Sequence, residues 1–301
     1  LFDSTVIGGK YIRSILALES FYALNPNCDH RTLEKMAKCA SLLEMIQGFY
    51  LIIDDIIDGS ETRRGKPCWY KNKDIGISAV NDALLLDVFV DELIRSLYLG
   101  HPQVDRLCAC HQNSKRITLL GQLLETVSAR DMNAFTWDRY EQLVEMKTSH
   151  YTFFQPMEMA LLVSDRMDSH NVVRRVAYQI GFLFQSQDDF LDIFGDPQLT
   201  GKSGSDIQEG KCTWVSVRAA EKLRGKPEFN NFEAHYGKLD SESVETIRKL
   251  LQQVNIPGDF IDFEKKYSDK IKRNIDLMPL HLSPLKPVLH AMLSKLLERK
   301  K

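Results

Sequence analysis

Residues 33–58 read LEKMAKCASLLEMIQGFYLIIDDIID. Taken in turn, Leu33, Met36, Ala40, Leu43, Gln47, Tyr50 and Asp54 are separated by alternating steps of mostly three and four residues, which is one stripe of a long helix. Similar helical patterns recur across 79–94, 116–130, 138–164, 171–194, 241–254 and 285–298, while strand-like alternation is scarce. No short repeat or low-complexity segment interrupts them. Residues 59–77, 195–213 and 223–240 are the least regular, rich in Gly, Pro and polar side chains, and are expected to be loops. The expected fold is all-α, a single large helical bundle forming one domain over 1–301.

Bulk properties narrow the function. With 301 residues the chain buries a large core, and 44% hydrophobic with 27% charged residues is ordinary for a globular protein. A net charge of -2 provides no basic field for nucleic acid or an anionic membrane, so any anionic ligand must be held by local Lys and Arg clusters. No stretch of about 18 residues is free of charge, so neither a transmembrane helix nor stable membrane insertion is expected. The chain begins at Leu1 rather than at a methionine, which leaves room for a targeting segment ahead of it. The expected compartment is the cytoplasm, with the mitochondrion as the alternative. Of the six cysteines (Cys28, Cys39, Cys68, Cys108, Cys110 and Cys212), Cys108 and Cys110 lie beside His111 at a spacing that fits no standard zinc motif. Free thiols in a reducing compartment are the expectation.

The stripe that begins at Leu33 ends in charge. Asp54 and Asp58 fall on its core-facing line, where a carboxylate pair must be solvated, paired or metal-bound. A helix end fraying into water would explain one such pair, but the pattern occurs twice. Asp54-Asp55-Ile56-Ile57-Asp58 and Asp188-Asp189-Phe190-Leu191-Asp192 share the form DDxxD. Both sit toward helix C-terminal ends, where the macrodipole disfavours anions. Hard divalent cations prefer carboxylate oxygens, and magnesium combines one or two carboxylates with substrate phosphates. Each motif is followed by cations suited to phosphate: Thr62-Arg63-Arg64-Gly65-Lys66-Pro67-Cys68-Trp69 after the first, and Gly201-Lys202-Ser203-Gly204-Ser205-Asp206-Ile207-Gln208 with Lys211-Cys212 after the second. A nucleotide phosphate loop is excluded at Gly195–Ser203, because five residues separate its glycines where that motif requires four, and a helix precedes it.

With these residues the chain resembles the trans-isoprenyl diphosphate synthase family, nearest to its farnesyl diphosphate branch. The two aspartate motifs carry the resemblance. So do the arginine pair with its Gly-Lys-Pro-Cys-Trp continuation, the Gly-Lys-Ser-Gly-Ser-Asp-Ile-Gln loop, Gly8-Gly9-Lys10 with Arg13, Lys147-Thr148, and Phe184-Gln185. It runs from Gly8 to at least Trp214.

The resemblance implies an all-α isoprenoid-synthase fold around a central diphosphate and magnesium cavity. It implies a homodimer whose small-molecule partners are isoprenoid diphosphates, and a cofactor of Mg2+ for which Mn2+ substitutes. The implied reaction joins an allylic diphosphate, dimethylallyl or geranyl, to isopentenyl diphosphate. Asp54, Asp58 and Asp188 would bind the metals, supported by Asp55, Asp189 and Asp192. Arg63, Lys147 and Lys202 would grip the leaving diphosphate. Thr148, Gln185 and the Lys147 carbonyl would stabilise the allylic cation, with Lys211 close by. Lys10, Arg13, Gln47 and Arg64 would hold isopentenyl diphosphate, whose proton leaves to the released diphosphate. Taken alone, Lys10 and Arg13 read as two exposed cations and Gln47 as a satisfied core amide.

Phe49 and Tyr50 precede Asp54 by five and four residues, one turn beneath the aspartates. They read either as core packing or as a floor that stops chain growth, which points to a farnesyl or geranyl product. The chain departs from the family at Glu125, where Asp is usual, at Ile12 and Ser14 beside the first basic cluster, at His150 where an aromatic is common, and at Glu298 in a tail that is usually more basic. These departures resemble the drift of insect enzymes with unusual products, including those made from homologous substrates. The alternatives are a geranyl diphosphate synthase, a terpene synthase on this scaffold, and a non-catalytic partner subunit. Intact aspartate motifs and a complete second basic set argue for condensation.

Overall fold

The computed structural model describes residues 1–196 and 204–299. The fold is all-α. Among the described residues its α-helices of eight or more residues are α1 (Ile12–Leu24), α2 (His30–Ile57), α3 (Ala79–Leu97), α4 (Val104–Ser128), α5 (Trp137–Val144), α6 (Gln155–Val163), α7 (His170–Phe194), α8 (Trp214–Leu223), α9 (Glu228–His235), α10 (Ser241–Gln253), α11 (Ile256–Asp276) and α12 (Leu285–Leu297). Glu145–Phe154, between α5 and α6, is π-helical. The strands among the described residues are Thr62–Arg63 and Lys66–Pro67, paired antiparallel.

Local chemistry starts these helices. Asp29 caps α2 by accepting from the Thr32 N–H at 2.7 Å, and Asp240 caps α10 through the Ser243 N–H at 2.8 Å. Thr213 and Ser216 form a reciprocal capping box at the start of α8. Two elements depart from expectation. Residues 223–240, expected to be loop, contain α9, which buries only Phe232 on one side of eight residues. The periodicity across 138–164 is real but spans three elements, because a π-helical insert preserves amphipathicity while shifting the register.

The chain divides into two compact units: Leu1–Lys115 with Tyr151–Arg175 and Met278–Met292, and Arg116–His150 with Val176–Leu277 and Leu293–Lys301. The first unit centres on α2, whose Met36, Cys39, Leu43, Ile46, Phe49 and Ile52 are all buried. By length and composition α2 is long and apolar enough to cross a bilayer, and 56% of that window is buried inside the protein, as in a core helix. The second unit has an aromatic core in which Phe190 stacks on Phe260 at 4.2 Å and Trp214 meets Phe260 edge-on at 5.0 Å. Five of the six cysteines are buried, and burial pushes the Cys39 and Cys212 thiols up to about 12.

Two glycines let helices close on the π-helical stretch. A Cβ at Gly121 of α4 would stand 2.5 Å from the Lys147 backbone nitrogen, and one at Gly181 of α7 would stand 2.6 Å from Ser149 Cα. Side-chain rotation relieves neither clash, since backbone atoms are struck. Gly181→Ala is therefore expected to destabilise the fold by about 1–3 kcal/mol, read from the urea midpoint; an unchanged midpoint would show that the stretch can move aside.

Candidate active site

The first aspartate motif closes α2, with Asp58 as its C-terminal cap. Its carboxylates have different environments. Asp55 is 4% exposed, whereas Asp54 and Asp58 are half-buried. The stripe therefore does not end where the sequence pattern placed it. The buried line at this end runs Ile46, Phe49, Ile52, Asp55, and the line through Gln47, Tyr50, Asp54 and Asp58 is partly open. Successive steps of three rotate a line around the helix, which carries the middle aspartate into the core.

Asp55 is held there by Arg63, whose Nε and Nη2 reach Asp55 Oδ1 at 2.9 and 2.5 Å, while Nη2 also contacts Asp54 Oδ2 at 3.3 Å. Burial pulls the Arg63 guanidinium down, but the hydrogen bond and charge of Asp55, with Asp54, outweigh it and the net shift is upward. A two-residue hairpin delivers this arginine. Arg64 and Gly65 occupy its tip with φ of +54° and +73°, the primed geometry that favours glycine at the second position. Arg64 points elsewhere, donating to the Ile7 carbonyl at 2.9 Å. Burial and the adjacent Arg63 charge push Arg64 down. Lys10 is exposed just ahead of α1, and Arg13 is half-buried at its start. Gln47 Oε1 and Arg13 Nε are buried without a hydrogen-bond partner. These orphaned polar atoms mark a place built to receive another polar group. Phe49 is 4% exposed and packs in the cluster with Val6, Ile46 and Ile52, while Tyr50 remains half-buried against Tyr151, ring centroids 4.8 Å apart.

The second motif repeats the arrangement within α7. Asp189 is 4% exposed and accepts three hydrogen bonds, from Tyr140 Oη at 2.6 Å, Gln185 Nε2 at 2.8 Å and the Trp214 N–H at 2.9 Å. Burial pushes its carboxyl up to about 6 against the opposing pull of those three donors. Asp192 is also buried, and its Oδ2 accepts from the Asp206 N–H at 2.9 Å. Asp188 is half-buried and paired with Arg299, whose guanidinium also lies 4.5 Å over the Phe184 ring. Thr148 donates to Gln185 Oε1 at 2.6 Å, so Thr148, Gln185 and Asp189 form one chain of hydrogen bonds. Lys147 pairs with Glu125, the longer carboxylate of the Gly121–Glu125 segment. Lys211 Nζ lies 2.6 Å from Glu209 Oε2. His150 is buried with its Nδ1 2.7 Å from Tyr178 Oη. Lys202, with Gly201 and Ser203, lies outside the described residues.

Asp54 and Asp58 bring carboxylate oxygens within 4.8 Å of one another. Hard oxygen donors at this spacing, half-exposed on one helical face, fit a hard divalent cation, and an acidic metal-binding group is present. Spacing pointed to the aspartates and cations but not to Tyr140, Tyr151, Thr152, Trp214 and Arg299, which contact them, nor to Glu44, which holds Ser14 beside Arg13. Only a Tyr among apolar residues hints at such a role, since its hydroxyl needs a partner; Trp214 makes its contact through a backbone N–H, which residue type does not encode.

Stability should separate the two kinds of aspartate. Asp55→Ala leaves the half-buried Arg63 without its main acceptor and should cost about 1–3 kcal/mol in urea unfolding. Asp54→Ala should cost less. The reverse order would show that Asp55 is not the structural carboxylate.

Comparison with known proteins agrees with this geometry. The polyprenyl synthetase family model matches residues 1–254. Farnesyl pyrophosphate synthase 1 of Cannabis sativa is 32% identical, covering 99% of this chain and 88% of its own length. The farnesyl pyrophosphate synthase of Rattus norvegicus is 33% identical over 94% and 82%, and that of the insect Nezara viridula is 36% identical over 90% and 68%. Among solved structures, Trypanosoma brucei farnesyl diphosphate synthase complexed with risedronate superposes with a TM-score of 0.93 at 31% identity, over 100% of this chain and 89% of that one. The chain belongs to the polyprenyl synthetase family.

Proposed function

We propose that this protein is a magnesium-dependent farnesyl diphosphate synthase, joining dimethylallyl or geranyl diphosphate to isopentenyl diphosphate with release of diphosphate. The observation that carries this reading is the repeated aspartate arrangement. In both motifs the middle carboxylate is buried and bound by protein groups, and the first is left partly open. A protein that had lost catalysis would not need two costly clusters organised alike. The enzymes it is similar to over nearly its whole length carry the same name.

Asp54, Asp58 and Asp188 are the residues that would hold Mg2+, with Asp55, Asp189 and Asp192 orienting them. Bound there, Mg2+ would offset the negative charge that develops on the leaving diphosphate. Arg63, Lys147 and Lys202 add positive charge around the same leaving group. Thr148, Gln185 and the Lys147 carbonyl present oxygens to the allylic cation, with Lys211 nearby. Lys10, Arg13, Gln47 and Arg64 hold isopentenyl diphosphate, and the orphaned Arg13 Nε and Gln47 Oε1 support this assignment. Tyr50, half-buried on the side of Asp54, with Phe49 behind it, limits chain growth.

A second copy of the chain is the proposed partner. Leu84, Leu85, Val88, Phe89 and Leu93 form an exposed apolar stripe on α3, between 39% and 51% exposed, and α4 exposes Leu119, Leu120, Leu123 and Val127. Exposed apolar stripes on helices, each taken by itself, are the kind of surface that marks an interface.

Incubation with labelled isopentenyl diphosphate and either allylic substrate, followed by product chromatography, tests the activity. Asp54→Ala and Asp188→Ala should each abolish most turnover with the fold retained, and chelation should do the same to the parent until Mg2+ is restored. Normal turnover in both variants would remove the metal assignment. In the same assay Phe49→Ala with Tyr50→Ala should lengthen the product and lower stability, by roughly 3–5 kcal/mol for the buried Phe49 ring and by less for the half-buried Tyr50. An unchanged chain-length distribution in folded enzyme would place the floor elsewhere.

A further inference from the structure

Arg13 is the second residue of α1, and its backbone and side chain are fixed by different groups. Ser14, its neighbour, donates to Glu44 Oε1 through both its N–H at 3.1 Å and its hydroxyl at 3.0 Å. Glu44 is 6% exposed. Its carboxylate satisfies a free N–H at the helix start, where the macrodipole favours an anion. The serine hydroxyl that marks a departure from the family thus reinforces the cap. This pins the backbone from which the Arg13 side chain leaves.

The side chain is held by neutral groups. Its Nη2 donates to Thr152 Oγ1 at 2.8 Å, and the guanidinium lies over the Tyr151 ring at 4.5 Å. Thr152 is 1% exposed. Among the described residues no carboxylate forms an ion pair with Arg13, whereas Arg63 contacts two aspartates. The difference matters for anion binding. A carboxylate would fix the arginine but cancel the charge that attracts a diphosphate. A hydroxyl and an aromatic face fix its geometry and leave the charge available. One donor, Nε, is buried and still has no acceptor. In a regular helix a threonine usually returns its hydroxyl to a carbonyl one turn back. Thr152 lies in the π-helical stretch, and its oxygen serves Arg13.

We propose that Thr152 is a positioning residue for isopentenyl diphosphate: it fixes the Arg13 guanidinium against Tyr151 without neutralising it, so that Arg13 meets the diphosphate pre-oriented. The inference rests on Arg13 being a ligand of that substrate. Pre-orientation lowers the ordering cost of binding, so its loss falls on affinity rather than on the chemical step.

Thr152→Val removes the acceptor and keeps the shape. The KM for isopentenyl diphosphate should rise about tenfold, with the allylic KM and kcat staying within about twofold and the thermal midpoint preserved. Thr152→Ser restores the hydroxyl and should return the KM to near the parent value, which a purely packing role would not produce. Arg13→Ala, run alongside, should raise the same KM further, and adding Thr152→Val to it should change nothing more. An unchanged KM in Thr152→Val, or no rescue by serine, overturns the inference while the Arg13 assignment stands on its own variant. If Arg13→Ala leaves the isopentenyl KM unchanged, the assignment and the inference fall together. Should the valine variant melt early, Thr152→Ala compared with Thr152→Ser decides the same question.

Discussion

The candidate site depends on burying the middle carboxylate of each aspartate motif and satisfying it with protein donors. Three aspartates on one helical turn repel one another, and at a helix C-terminus the macrodipole adds to the cost. Arg63 relieves this at Asp55, and Tyr140, Gln185 and the Trp214 N–H relieve it at Asp189. Once the middle carboxylate is anchored, the outer ones have fixed directions. The hairpin at Arg63–Lys66 and the start of α8 at Trp214 are thereby coupled to the motifs. They supply the donors, and their own positions are set by the same contacts.

Two of the cations proposed for isopentenyl diphosphate are held by neutral groups, unlike Lys147, which pairs with Glu125. Arg64 donates to backbone carbonyls, and Arg13 lies between a threonine oxygen and a tyrosine ring. Arg63, one residue from Arg64, is committed to carboxylates. The two adjacent arginines diverge because the tip of a primed hairpin turns successive side chains in different directions.

Much of the fold was legible in the sequence because long helices repeat their apolar positions many times. The whole of α11 was not, because its buried positions Phe260, Glu264, Ser268 and Ile271 mix apolar with polar side chains. The π-helical stretch was illegible for another reason: it changes hydrogen-bond register without disturbing residue types. In the site, the aspartates and basic loops were found because their spacing is local. Their partners lie far along the chain, as Tyr140 lies 49 residues from Asp189 and Thr152 lies 139 from Arg13. No local pattern encodes a contact made by tertiary packing.

The Arg299–Asp188 pair carries a consequence for the metal affinity proposed at this motif. Arg299 sits on Asp188 and stacks against Phe184. On the proposed function, a metal at Asp188 would exchange one cation for another, with Arg299 leaving its carboxylate. Arg299 would thus enter the apparent affinity at Asp188 as a competitor, from 111 positions further along the chain.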